Sequence, residues 1–147
     1  MAVTHSMYAA GLKNVIQSNL SKIDSSGDQQ LTLSLMSSAY IDNVVIATDE
    51  YWAGISADQI STGTHYTPGG VTIDGISSTT TGNATLLLSS TDVVFTTTGS
   101  IKAWCGVARA TSHLVSFIDF DGEQESVDGT FRVNWNSSGL IRFTVTT

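Results

Sequence analysis

The chain has little charge, and very little of that charge is positive. Of its 147 residues six are Lys or Arg and thirteen are Asp or Glu, for a net charge of −7. Lys13, Lys22, Lys102, Arg109, Arg132 and Arg142 are scattered along the sequence, whereas a protein that grips a phosphate backbone clusters its cations. Nucleic acid is therefore not an expected partner. One cysteine, Cys105, rules out an internal disulfide. Its neighbours supply no basic environment, so a buried and inert thiol is expected there. The sequence shows no basic segment followed by an apolar stretch of roughly 7–15 residues, and no apolar run of about 18. Neither a secretory signal nor a membrane-crossing segment is expected. Charged residues make up 13% of the chain, against about 25% in an average soluble domain. Ser and Thr fill the gap, most densely between residues 77 and 98. Such a surface is solvated but repels itself only weakly, which suits a protein held in an assembly.

What is present is alternation. Residues 30–36 place Leu31, Leu33 and Leu35 on one side, and from Ser100 onward four runs repeat with a period of two. Ile101, Ala103, Cys105 and Val107 oppose Lys102, Trp104, Gly106 and Ala108. Val115 and Phe117 oppose Leu114, Ser116 and Ile118. Phe131, Val133 and Trp135 oppose Arg132 and Asn134, and Ile141, Phe143 and Val145 oppose Arg142 and Thr144. A period of two sends alternate side chains to opposite faces of a sheet. Turn-rich stretches at 119–129 and 136–139 separate the runs, the spacing of an antiparallel sandwich or barrel. Tyr66-Thr67-Pro68-Gly69-Gly70 reads as a turn leading into a strand at 71–73, and 83–88 and 92–97 read as two more strands. The exception is residues 6–20. Ser6 can cap a helix there, and Tyr8, Leu12, Ile16 and Leu20 recur along one stripe. That amphipathic helix must lie on the sheet or on a neighbouring subunit, because Lys13 and Lys22 supply too little charge for a membrane surface. Residues 37–61 read equally well as strand or helical turn.

Chemistry-bearing groups are sparse. Asp119, Asp121, Glu123, Glu125 and Asp128 form one dense acidic stretch, but its glycine falls at the fourth position rather than the sixth and no helices flank it, so it departs from a calcium loop. A solvated hairpin that discourages edge pairing accounts for it. His5, His65 and His113 have no ligand partners at helix or strand spacing, so no metal site is expected. Serines are abundant, yet no nucleophile elbow or nucleophile–base pair is visible. No catalytic residue and no cofactor-binding residue is therefore assigned. Large aromatics concentrate at buried contact centres, which makes Tyr51, Trp52 and Trp104 candidate interface residues, with Tyr8 and Leu12 on the helix stripe beside them.

Three elements, in order, resemble small structural proteins of tailed bacteriophage virions. They are residues 5–13 (His5-Ser6-Met7-Tyr8-Ala9-Ala10-Gly11-Leu12-Lys13), residues 66–73 around the Gly69-Gly70 turn, and a C-terminal set. That set comprises Phe117-Ile118-Asp119-Phe120, Gly129-Thr130-Phe131-Arg132-Val133-Asn134-Trp135 and Gly139-Leu140-Ile141-Arg142-Phe143. Phe95 stands where the family often has tryptophan, and residues 37–61 match poorly. The resemblance implies a β-sandwich that cements or decorates a capsid surface, commonly as a homotrimer, with the major capsid protein and copies of itself as partners. A tail-associated carbohydrate- or receptor-binding module is the alternative. The expected fold is mainly β: one domain over 1–147, with an arm and helix in 1–23 and an antiparallel, jelly-roll-like β-sandwich in 28–147.

Overall fold

The computed structural model describes residues 4–9, 31–60, 66–81, 85–96, 99–127, 129–135 and 141–144. The chain is mainly β, with antiparallel sheets. Among the described residues the strands are β1 (Thr4–Met7), β2 (Leu31–Met36), β3 (Val71–Thr72), β4 (Ser77–Thr81), β5 (Thr85–Ser89), β6 (Val93–Thr96), β7 (Ile101–Ala110), β8 (His113–Ser126), β9 (Thr130–Val133) and β10 (Ile141–Thr144). Two one-turn helices, α1 (Ser38–Ile41) and α2 (Trp52–Ile55), and a 3₁₀ turn at Ser56–Asp58 lie between β2 and β3. The main sheet runs β1-β8-β7-β2-β3, a smaller one runs β10-β5-β4, and β6 pairs with β9 as a ribbon.

The main sheet is covered on both faces by the chain itself. On the first face Leu31, Leu33 and Leu35 of β2, Val115, Ile118 and Phe120 of β8, and Ile101, Ala103, Ala108 and Ala110 of β7 pack against Val93, Phe95, Phe131 and Val133 of the β6–β9 ribbon. This packing of ribbon on sheet is consistent with a β-sandwich. Its aromatic contacts are specific: Phe95 meets Phe131 edge-on at 6.3 Å, and Phe120 and Tyr66 lie 5.9 and 5.8 Å from Phe131 and Phe95. Truncating such a ring costs about 3–5 kcal/mol. On the second face Met36, Cys105, Val107, Leu114 and Phe117 are roofed by Tyr8, Tyr40 and Ile55, with Ile41, Val44, Ile46 and Trp52 beside them. The roof is residues 38–58, the stretch whose sequence carries no clear period. Backbone bonds pin it to β8 and to the residues that follow β1 and β2: Ser37 N–H donates to Asp58 O (2.9 Å), Ala9 N–H to Ile46 O (3.3 Å), and Leu114 N–H to Glu50 O (3.0 Å).

Two register breaks decide which side chain faces which core. Ala103 pairs with Gln124 but Cys105 pairs with Asp119, so β8 spends residues 120–123 opposite Trp104 alone. Asp121 and Gly122 take positive φ (58° and 109°) in that excursion. A second shift, between Ala108 and Arg109, leaves Val115 as an extra residue on β8. Simple alternation is therefore corrected at both places. Ile101 and Ala103 face the ribbon while Cys105 and Val107 face the roof, and Val115 and Phe117 part in the same way. Cys105 is fully buried, as expected, but shares its face with Val107 and not with Ile101.

The N-terminal expectation is corrected at its start, before Ala9, which is helical. Residues 4–7 form a strand, with Ser6 opposite Phe117 and Met7 opposite Ser116, so Ser6 is not a helix cap. The open side of β8 offers these residues backbone partners that local helix propensity cannot match. The remainder of the expected helix, from Ala10 to Leu20 and including Leu12, lies outside the described residues. The acidic stretch is likewise strand rather than hairpin loop as far as Ser126, since Ile101, Lys102 and Ala103 pair with Ser126, Glu125 and Gln124.

Candidate functional site

The most distinctive surface lies at the turn between β7 and β8. Residues 50–52 run alongside the start of β8: Tyr51 bridges to His113, and the N–H of Trp52 donates to Ser112 O at 2.8 Å. Tyr51 holds an extended backbone (φ −122°, ψ 139°) before α2 begins. Its ring lies 5.2 Å from the His113 imidazole and is 48% exposed. Glu50 accepts a hydrogen bond from the Tyr51 hydroxyl, which pushes the phenol above its ordinary value and keeps it neutral.

Trp52 carries the cation. The Arg109 guanidinium lies over its indole at 4.7 Å, a stack worth about 0.5–1 kcal/mol at an exposed site. Arg109 donates from Nη1 to Thr111 O (2.6 Å) and from Nη2 to Gly69 O (3.0 Å), while Nε is enclosed without an acceptor. Partial burial lowers its affinity for the proton, and among the described residues no carboxylate pairs with it. Gly69 O also accepts from Ser34 Oγ at 3.2 Å, which locks the 66–70 turn to β2. Gly70 is required in that turn. Its φ is +84°, and a Cβ there would fall 2.1 Å from Leu33 O.

Beneath this rim, polar groups are committed to the fold. Tyr8 donates to the Tyr40 hydroxyl, and Tyr40 donates to Asp49 Oδ2 at 3.1 Å, the same oxygen that accepts the Val45 N–H at 2.9 Å. Both phenols stand edge-on to Phe117, and burial pushes both above their ordinary range. On the sheet's other edge the Tyr66 hydroxyl accepts from Leu35 N–H (3.2 Å) and Gln59 Nε2 (2.6 Å). Burial, with Asp119 nearby, pushes the Cys105 thiol up to about 12, so no thiolate forms there near neutral pH. In the acidic stretch Asp119 Oδ1 accepts the Asp121 N–H (2.9 Å), and Lys102 pairs with Glu123 and Glu125 at 3.3 and 3.4 Å. No cluster of three or more His, Cys, Asp or Glu suited to a metal occurs among the described residues.

The sequence-selected residues thus separate. Tyr51 is exposed and Trp52 half-buried, side by side on the rim. Trp104 is half-buried on β7 at the register break, away from the turn that holds them. Tyr8 is fully buried in the chain's own core, and Leu12 lies outside the described residues. Arg109 and His113 escaped the sequence reading, because the stacking and bridging that define them are long-range. The one available signal was an arginine alone in a stretch of apolar and small residues. The arrangement suits binding: an aromatic pair, a stacked cation and a fixed turn on a two-sided scaffold. No protein-family model matches the sequence, and no curated protein or solved structure matches it.

Proposed function

We propose that this chain is a non-enzymatic structural protein of a tailed-phage virion, a cement or head-decoration subunit at the capsid surface. Its partners are the major capsid protein and copies of itself, as a homotrimer, and its sandwich has jelly-roll-like connectivity. The observation that carries the reading is the division of labour in the main sheet. Both faces are filled by the chain's own side chains, while Tyr51, Trp52 and Arg109 are gathered on a rim at the margin of the second core, against which Trp52 packs. A protein built this way acts through its perimeter. Cement contacts are individually modest and are repeated by symmetry, each near or above roughly 1,000 Å². The ordered resemblance at residues 5–13, 66–73 and 117–143 supports the virion setting.

A cryo-EM map of the source particle tests the proposal. Density for this chain on the capsid surface, together with increased heat or chelator sensitivity of particles lacking it, is the expected result. A capsid map without that density refutes the reading. The exposed Tyr51 ring beside Trp52 also fits a sugar platform, so a tail-associated carbohydrate- or receptor-binding module is the second reading. Glycan-array binding at micromolar concentration distinguishes it from the first.

A further inference from the structure

The β7–β8 pair ends in two chemically opposite tips. At the turn, the Arg109 guanidinium lies over Trp52, beside His113 and the exposed Tyr51, whose hydroxyl is held by Glu50. Of its five N–H donors, two serve Thr111 O and Gly69 O and one, on Nε, is enclosed. Each terminal nitrogen carries a second N–H, and among the described residues no further acceptor meets them. At the far tip, past the register break, Asp121, Glu123 and Glu125 are exposed and the strand ends at Ser126, followed by Val127, which is 69% exposed. Lys102 pairs with both glutamates but leaves the tip net negative. Tyr51 and Val127 are two of the three exposed large apolar side chains among the described residues, and one stands at each tip.

These tips cannot meet within one molecule. At roughly 3.3 Å per residue, the 10 residues of β7 hold them about 30 Å apart on a strand pair braced from both faces. We infer that copies of this chain join head to tail, the Arg109–Trp52–Tyr51 rim of one receiving the acidic 121–127 arm of the next. The arm brings a carboxylate, which Arg109 lacks among the described residues, and Val127 brings an apolar partner for the Tyr51 ring. Such a contact is heterologous: it closes into a ring when the rotation per step allows and grows into a filament otherwise. The inference deepens the assembly reading above, since it names the residues through which copies touch.

Sedimentation velocity of the purified full-length chain over a concentration series tests it. The unaltered protein associates with increasing concentration. Arg109→Glu and the double change Glu123→Gln/Glu125→Gln each abolish one tip, and each variant alone self-associates at least about tenfold more weakly. Mixed one to one, they form a dimer and nothing larger, because exactly one intact rim and one intact arm remain between them. Tyr51→Glu places a carboxylate on an exposed ring position without disturbing the core, and pairs with the arm variant as Arg109→Glu does. An unaltered chain that stays monomeric, single variants that associate normally, or a mixture that stays monomeric would each overturn the contact. A monomeric chain still found on the capsid sinks this inference and leaves the function standing. Association through these tips with no capsid density does the reverse.

Discussion

Removing the middle oxygen of the Tyr8–Tyr40–Asp49 chain should cost more than removing the end one. Tyr40→Phe strips Tyr8 of its acceptor and leaves a phenol O–H on a fully buried residue with no partner. An orphaned buried donor costs about 1–3 kcal/mol. Asp49 loses one donor as well but keeps the Val45 N–H at 2.9 Å and is only half-buried, so water replaces much of that loss. The total comes to about 2–4 kcal/mol. Tyr8→Phe leaves Tyr40 donating to Asp49 and forfeits one net hydrogen bond, about 0.5–1.5 kcal/mol. In the double variant no donor is orphaned, so its cost falls below the sum of the singles by about 1–2 kcal/mol. Urea unfolding of the four proteins, with m held constant, gives the cycle directly. Equal costs for the two single changes, or additivity within about 0.5 kcal/mol, would refute the chain of donors described here.

Alkaline pH should unfold the protein through the same residues. Tyr8 and Tyr40 hold their protons in the fold well above the usual phenol value, Tyr66 is raised in the same direction, and the Cys105 thiol is pushed up to about 12, all by burial. The unfolded chain releases them first, so stability is intact below about pH 9 and falls above it by up to about 1.4 kcal/mol per pH unit for each group. Thermal melts between pH 8 and 11 check this, and Tyr8→Phe should flatten the decline. Gly70→Ala sets a Cβ 2.1 Å from Leu33 O at a positive φ and should cost more than about 3 kcal/mol, read as a fall in the unfolding midpoint. Cys105 should react with a thiol reagent at neutral pH only as fast as the fold opens, so labelling that proceeds at the rate of a free thiol would contradict its burial.

The strands were legible where one face stays in one environment. β2 and β9 match their sequence runs because Leu31, Leu33 and Leu35, and Phe131 and Val133, all point into the same core. The run from Ile101 to Val107 looks just as regular, yet it serves two cores. Apolar residues on both sides of a register break cannot be told from apolar residues on one side without knowing where the partner strand bulges. β4 was missed because Ser77-Ser78-Thr79-Thr80-Thr81 has no apolar alternation, and only pairing with β5 reveals it. The roof was illegible for a different reason. Residues 38–58 contain two single-turn helices too short to show a period, fixed in place by bonds to β8 and to the residues just after β1 and β2. Of the rim, Tyr51 and Trp52 were legible as large aromatics, but the Arg109 stack depends on the 50–52 segment reaching β8.

The same register break that hides the face switch makes the hairpin useful. A strand pair with one buried face is held from one side, and its ends fray toward solvent. β7 and β8 instead anchor Ile101 and Phe120 under the ribbon and Val107 and Phe117 under the roof, so the pair is clamped in both directions along its length. Clamping holds the distance between the Arg109 rim and the Glu123–Glu125 arm nearly constant, which a heterologous contact needs if every copy is to meet the next at the same angle. The break also takes the arm out of the core. With residues 120–123 opposing Trp104 alone, the strand leaves its inward phase at Phe120 and returns to pairing at Gln124, and the carboxylates on either side of Gln124 stand exposed. Deleting residues 121–123 should restore simple alternation past Trp104 and bring Glu125 next to the inward positions. Burying a carboxylate costs several kcal/mol even when it keeps a partner such as Lys102, so this shorter chain should be less stable than the parent although its strand pairing is more regular. An increase in stability on deletion would show that the excursion is an irregularity of the pairing and not the feature that keeps the acidic arm in solvent.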